Sequence, residues 1–270
     1  MAYARLPDRD PIRCPPVEVH EHRPHIVFSG GSTLEFTEDF GTREANWHGD
    51  EIRCAVALER ANEGRDILQI IGLRSGLLLF ECLTCYAELS RKLAPFPVAM
   101  VARDTRDGVE LYMFTVTGHV SLFRGIHKGL DAWPEEERIA TLPQPLNVLD
   151  VACLDDAEGP VVLTALCHDR LILLRKDRGW SPEEIPIPGG LTCLCSVVLS
   201  EDPIPRLMIG AAERSLVFHG LDGSREKLPL AYTPTALAVV KDAQEGTEIF
   251  VGFDRGDVHR YRIIEEKALA

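Results

Sequence analysis

One pattern recurs six times along this chain. An apolar run is followed by a short polar or glycine-bearing turn, then by a second apolar run ending in a large apolar residue. The copies run from Ile26 to Phe36, Ile67 to Phe80, Leu111 to Phe123, Val161 to Leu174, Leu207 to Phe218 and Ile249 to Tyr261. Their end residues are spaced by 44, 43, 51, 44 and 43 positions, and the long interval holds an insertion around Gly125 to Pro134. Two apolar runs around a tight turn read as a β-hairpin. A fixed period of this length marks a repeat architecture.

Each hairpin after the first is preceded by a further run: Ile52 to Leu58, Pro97 to Ala102, Val148 to Leu154, Leu194 to Leu199 and Ala236 to Val240. Aligned on the hairpins, these runs share a small residue, namely Ala55, Ala99, Ala152, Ser196 and Ala238, with apolar neighbours on both sides. A strand apolar on both faces is buried on both, and a small residue at one level in every copy implies crowding where strands converge. A weaker fourth run follows several hairpins: Tyr86 to Leu89, Glu137 to Leu142, Glu184 to Ile187 and Glu226 to Leu230. Each unit therefore holds about four short strands, the signature of a propeller blade. Runs this short, rich in β-branched residues, do not suit a helical solenoid.

On this period and pattern the chain resembles the β-propeller repeat proteins, WD-repeat-like in the broad sense. It departs from the WD consensus: no Trp-Asp pair closes a third strand, and Gly-His occurs only at Gly118-His119. The expected fold is all-β, one propeller domain over 1–270 with six four-stranded blades, in which residues 1–23 close the ring by pairing with the last blade. Such closure removes open sheet edges. A ring completed by a partner chain is the alternative.

Charge separates the two ends of such a ring. The strands of a blade are lettered A to D from the axis outwards, so A–B and C–D loops share one end, and B–C and D–A loops the other. The net charge of the chain is −13, and the five A–B loops at 59–66, 103–110, 154–160, 200–206 and 241–248 hold −8 of it. The B–C turns of the same units sum to zero. Acidic loops also serve ordinary solubility. Every B–C turn carries an arginine or a histidine: Arg74, His119, His168 with Arg170, Arg214 and Arg255. Arginine is enriched at interface hot spots, so these six residues form the expected partner-binding set. The acidic balance disfavours nucleic acid and anionic membrane surfaces as partners. No apolar run approaches the roughly 20 residues that span a bilayer. The start has no secretory h-region, and eight cysteines then read as reduced thiols, so the expected location is cytoplasmic.

Candidate chemistry is sparse. Cys82 and Cys85 form a lone CxxC, whereas a structural zinc site needs a second pair. Cys54, Cys153 and Cys195 align with Val, Leu and Met in other copies and read as core hydrophobes. His20 and His22 would share a strand face beside His25, which suits a metal or simply a solvated segment. Ser75, His168 and Asp169 could form a trio only if the fold gathers them. Trp47, Trp133 and Trp180 follow hairpin ends and suit packing between blades. No nucleophile elbow, metalloprotease helix, dinucleotide fingerprint or P-loop occurs. No cofactor, catalytic residue or metal site is therefore expected. The expectation is a non-catalytic scaffold that binds protein partners within a larger complex. The alternative is a propeller hydrolase or lactonase with polar groups such as Asp50, Glu51 and Asp150 meeting at the axis. A split assembly unstable alone is a third reading.

Overall fold

A computed structural model describes residues 4–5, 17–19, 23–27, 32–36, 42–47, 50, 52–60, 66–82, 87–105, 108–126, 130, 132–143, 147–154, 161–187, 189–197, 206–242 and 246–262. The regular structure among them is strand, apart from one 3-10 turn at Lys176–Arg178. No helix among the described residues is long and apolar enough to cross a membrane.

The strands pair antiparallel into four-stranded sheets in chain order. After β1 (Ala4–Arg5) comes sheet 1, with β2 (Val17–Val19), β3 (Arg23–Val27), β4 (Ser32–Phe36) and β5 (Thr42–Trp47). Sheet 2 holds β6 (Ile52–Arg60), β7 (Asp66–Leu73), β8 (Leu77–Cys82) and β9 (Ala87–Lys92). Sheet 3 holds β10 (Pro97–Thr105), β11 (Gly108–Thr115), β12 (His119–Ile126) and β13 (Glu135–Thr141). Sheet 4 holds β14 (Asp150–Leu154), β15 (Val162–Leu166), β16 (Arg170–Arg175) and β17 (Pro182–Pro186). Sheet 5 holds β18 (Leu191–Val197), β19 (Arg206–Ala211), β20 (Ser215–Gly220) and β21 (Arg225–Pro229). Sheet 6 holds β22 (Pro234–Asp242), β23 (Gly246–Phe253) and β24 (Asp257–Arg262), with β1 as its outer strand, Ala4 opposite Val258 and Arg5 opposite Asp257.

The first strands of successive sheets, β2, β6, β10, β14, β18 and β22, lie beside one another, so the sheets radiate from a common centre as propeller blades. The hairpin end residues all fall on third strands, and the small residues on first strands. The expectation of six blades needs correction at the level of packing. Five four-stranded blades, sheets 2 to 6, carry described side chains. Sheet 1 is described in its backbone pairing alone.

The cores lie between sheets. Side chains alternate along a strand, so successive residues serve opposite interfaces. On β11, Leu111 and Met113 pack with Ile70 and Phe80 of sheet 2, whereas Tyr112 and Phe114 pack with Leu163 and Ile172 of sheet 4. On β15 the split repeats: Leu163 and Ala165 face sheet 3, while Val162 and Leu166 join Leu207 and Ile209 of sheet 5. Sheets 5 and 6 meet through Met208, Leu216, Val251 and Phe253. This is why the runs read as apolar rather than alternating, with full burial of each large side chain contributing about 1.5–3 kcal/mol. Outer strands face water, and β17 and β21 are exposed along most of their length.

Convergence at the centre also dictates glycine. A Cβ on Gly72 would sit 2.8 Å from both Cys54 Sγ and Pro97 Cγ, where the first strand of its own sheet meets the opening proline of the next. Gly210 stands in the same relation to Cys193 and Pro234.

A few buried polar groups interrupt the apolar pattern, Thr164 the most deeply buried of them. Thr164 on β15 is fully buried, and its hydroxyl has no hydrogen-bond partner among the described residues. An unpaired buried hydroxyl costs free energy that an isosteric methyl does not. Thr164→Val should raise the unfolding free energy by about 1 kcal/mol, read as a higher urea midpoint at unchanged slope.

Candidate functional site

In sheets 2, 3, 5 and 6 the turns between second and third strands share one build. Gly76, Gly118, Arg214 and Gly256 each donate their backbone N–H to the carbonyl three residues back, on Leu73, Thr115, Ala211 and Phe253. Each has a positive φ, between 59° at Arg214 and 85° at Gly76. A tight turn followed by one left-handed residue matches the twist of a hairpin. Glycine takes that conformation freely, and Arg214 takes it with a Cβ.

Each turn is then clamped by the loops beside it. Leu93, Leu142, Ile187 and Leu230, just past the fourth strands, donate to carbonyls of Gly76, Gly118, Asp169 and Arg214. Val116, Ala212 and Asp254 donate in turn to Phe96, Gly190 and Thr233 in the loops entering their own sheets. Asp50 adds a side-chain clamp, accepting the Ser75 N–H at 3.0 Å. The backbone of this end is thus preorganised, which lowers the entropic cost of binding anything to it.

All six residues expected from the sequence lie at this end. Arg74 is exposed in its turn. His119 opens β12, and Arg138 Nη2 donates to its Nδ1 at 2.9 Å, so its ring proton sits on Nε2. His168 is exposed next to Gly190. Arg170 donates to Glu184 at 2.8 Å and to Asp169 at 3.0 Å. Arg214 projects from its left-handed turn, and the Arg255 guanidinium stacks 4.7 Å from the Tyr232 ring centroid. The set is heterogeneous: Arg170 is neutralised by two carboxylates, and Arg255 lies on an aromatic face.

Sequence reasoning passed over three residues here. Phe96 and Val116 are exposed by 47% and 52%, and the Val116 N–H bonds the Phe96 carbonyl at 3.0 Å. Tyr232 supports Arg255. Their signal was position, since all three lie in the loops and turns of this end.

The remaining candidates resolve as follows. Cys54 and Cys193 are buried in the cores, while Cys153 and Cys195 are half-buried against them. The side chains of Cys82 and Cys85, and those of His20, His22, His25, Glu51 and Trp47, lie outside the described residues. Trp133 packs edge-on to Phe80 and Phe123 with Arg91 over its ring, and Trp180 lies against Tyr112 of the preceding sheet. Both tryptophans therefore fill seams between blades. Ser75 sits two sheets away from His168 and Asp169. Asp50 is taken up by its turn. Asp150 is buried, with Oδ1 accepting from Val151 and Oδ2 accepting the Leu194 N–H of sheet 5 at 2.8 Å. Among the described residues no group of three or more His, Cys, Asp or Glu could hold a metal ion.

A half-buried carboxylate and a buried imidazole lie away from this end. At Glu110, burial works to raise the carboxyl pKa, but the Tyr112 hydroxyl at 2.7 Å, Lys176 and Arg103 outweigh it and hold it below the carboxylate range. His219 on β20 is buried, donates Nδ1–H to the Gly220 carbonyl at 2.7 Å, and leaves Nε2 without a hydrogen-bond partner among the described residues. Burial pushes its pKa down against the pull of that carbonyl.

The chain is similar to BBS1N in its complexes with ARL6DN, at TM-scores of 0.64 and 0.66 and 11% identity. Those matches cover 90% and 92% of this chain and 75% and 76% of the other. It is also similar to BamB from Moraxella catarrhalis, at a TM-score of 0.57 and 13% identity over 97% of this chain and 99% of that one. Identity this low speaks to fold alone: the protein has the architecture of a β-propeller. No protein-family model matches the chain, and no curated protein matches it by sequence.

Two measurements test the buried groups. Asp150→Ala strands the Leu194 N–H inside the seam between sheets 4 and 5, and should cost about 2 kcal/mol of stability, read by urea unfolding. His219 has a folded pKa below the ordinary imidazole value of about 6.5. The unfolded chain therefore takes a proton that the folded one refuses, and stability is lost as pH falls through that value. His219→Gln should flatten the loss between about pH 7 and pH 5, measured as the shift in urea midpoint.

Proposed function

We propose that this propeller is a non-catalytic scaffold, WD-repeat-like in the broad sense, whose B–C end docks a protein partner within a larger complex. Arg74, His119, His168, Arg170, Arg214 and Arg255 are the residues assigned to contact that partner. The observation that carries the reading is Arg214. Three sister turns place glycine at its left-handed position, and a side chain there costs roughly 1 kcal/mol of backbone strain. Strain kept at an exposed turn is the kind that function retains. The rigid backbone lattice supports the same reading, and so does a propeller of similar fold, BBS1N, solved with a protein bound to it. Pairing of β1 with β24 supplies a closing strand for the ring.

The test is capture of partners by the intact chain from its native cell. Reversing Arg74, Arg170, Arg214 and Arg255 to Glu together should reduce recovery at least about tenfold, and undiminished recovery would overturn the assignment. Arg214→Gly separates strain from contact. It should leave stability unchanged or raise it by up to about 1 kcal/mol, while recovery still falls.

A further inference from the structure

We infer that Ser181 is a phosphorylation site, to which a serine kinase transfers the γ-phosphoryl group of ATP, and that Arg178 and Arg175 then hold the phosphate. The site lies in the turn between β16 and β17, a C–D loop. It is therefore at the opposite end of the ring from the proposed docking turns and stands independently of them.

Sequence and exposure together select this hydroxyl. Arg178 stands three residues before Ser181, Pro182 directly after it, and Glu184 three after. Kinases choose substrates by patterns of this kind. An arginine ahead of the acceptor suits an acidic cleft, and a proline behind it suits a cleft that leaves the next N–H without a partner. Ser181 is exposed, and its hydroxyl makes no hydrogen bond among the described residues. Thr233 is the one other hydroxyl residue followed by proline. Its hydroxyl is engaged instead, donating to the Ala212 carbonyl at 3.5 Å.

The turn that carries Ser181 is anchored from beneath. Trp180 packs against Tyr112 of sheet 3, and its N–H bonds the Arg175 carbonyl at 2.9 Å. The Ser181 N–H reaches the Arg178 carbonyl at 3.4 Å. Pro182 pairs with Leu174, so Ser181 and Arg175 are the next residues along the two strands.

The groups that would receive a phosphate are already in place. Two guanidiniums turn to one carboxylate: Arg178 Nη1 lies 3.3 Å and Arg175 Nε 3.7 Å from Glu183 Oε2. The longer contact leaves Arg175 Nε, a buried donor, without a hydrogen-bond partner among the described residues. Arg178 is 63% exposed, so it can leave Glu183 at little cost. The other charged residues of the turn are Lys176, which also acts on Glu110, and Asp177; Glu184 is taken up by Arg170. A phosphoserine brings a charge of about −1.5 to −2 at pH 7 and three acceptor oxygens. Glu183 offers one charge and two oxygens, so the phosphate displaces it from the arginines. In the transfer, Ser181 Oγ bonds to the γ-phosphorus and the bond from that phosphorus to the β,γ-bridging oxygen breaks. ADP leaves, and the hydroxyl proton passes to the base of the kinase.

The experiment incubates the folded full chain with magnesium, ATP and an arginine-directed kinase, the catalytic subunit of the cyclic-AMP-dependent enzyme. A proline-directed kinase serves the Arg178→Ala chain, which lacks the arginine. Mass spectrometry should place a phosphoryl group on Ser181, and Ser181→Ala should abolish it. Phosphorus-31 NMR then titrates the phosphate. Its second pKa should lie at least about half a unit lower in the folded chain than in the same chain unfolded in urea, and Arg178→Ala should remove most of that difference. The chain recovered from its native cell with phosphatase inhibitors should carry the same group. Ser181 left unmodified in the folded chain, a phosphate that titrates alike folded and unfolded, or only unmodified Ser181 in the recovered chain would each overturn the inference.

Discussion

The whole architecture depends on sheets whose two faces are both apolar. A sheet with one wet face can end a packing arrangement, but a sheet such as β10 to β13 cannot. Met113 and Phe114 are adjacent in sequence, yet one is buried towards sheet 2 and the other towards sheet 4. Each blade therefore requires a neighbour on both sides, and a ring of blades supplies neighbours without an exposed flank. Crowding at the centre follows from the same requirement. It explains the small residues on the first strands and the glycines that face cysteine and proline at the points of closest approach.

Much of this was legible in the sequence because it is periodic. Phe80, Phe123, Leu174, Phe218 and Tyr261 stand on equivalent third strands, and their spacing alone located the sheets. The first unit was harder, since its strands are short and its charged residues interrupt the apolar runs. For the docking end, the turn residues were readable one by one, but their surroundings were not. Nothing local shows that Arg170 is held by Glu184, because that pairing depends on which residues face each other across β16 and β17. Phe96 was passed over because the apolar run was read from Pro97. It lies one residue ahead of β10, in the entering loop, with its carbonyl bonded to the adjoining turn.

The docking end also shows how a repeat diversifies. Its backbone bonds recur from blade to blade, so side chains at turn positions can change without disturbing the frame. One blade places a paired arginine there, another an arginine on an aromatic ring, and a third an exposed valine next to phenylalanine. Uniform geometry with varied chemistry lets one rim offer several distinct contacts. The polar groups inside the seams do different work. Asp150 ties two inner strands, and Tyr112 with Glu110 anchors the middle of a blade.

The place of β1 has a geometric consequence. It is the outermost strand of sheet 6, far from the hub, and it lies opposite the two residues of β24 that follow the turn of Arg255. A label or fused domain attached ahead of Ala4 would join the fold at that outer strand. It would load the one sheet assembled from the two most distant stretches of the chain.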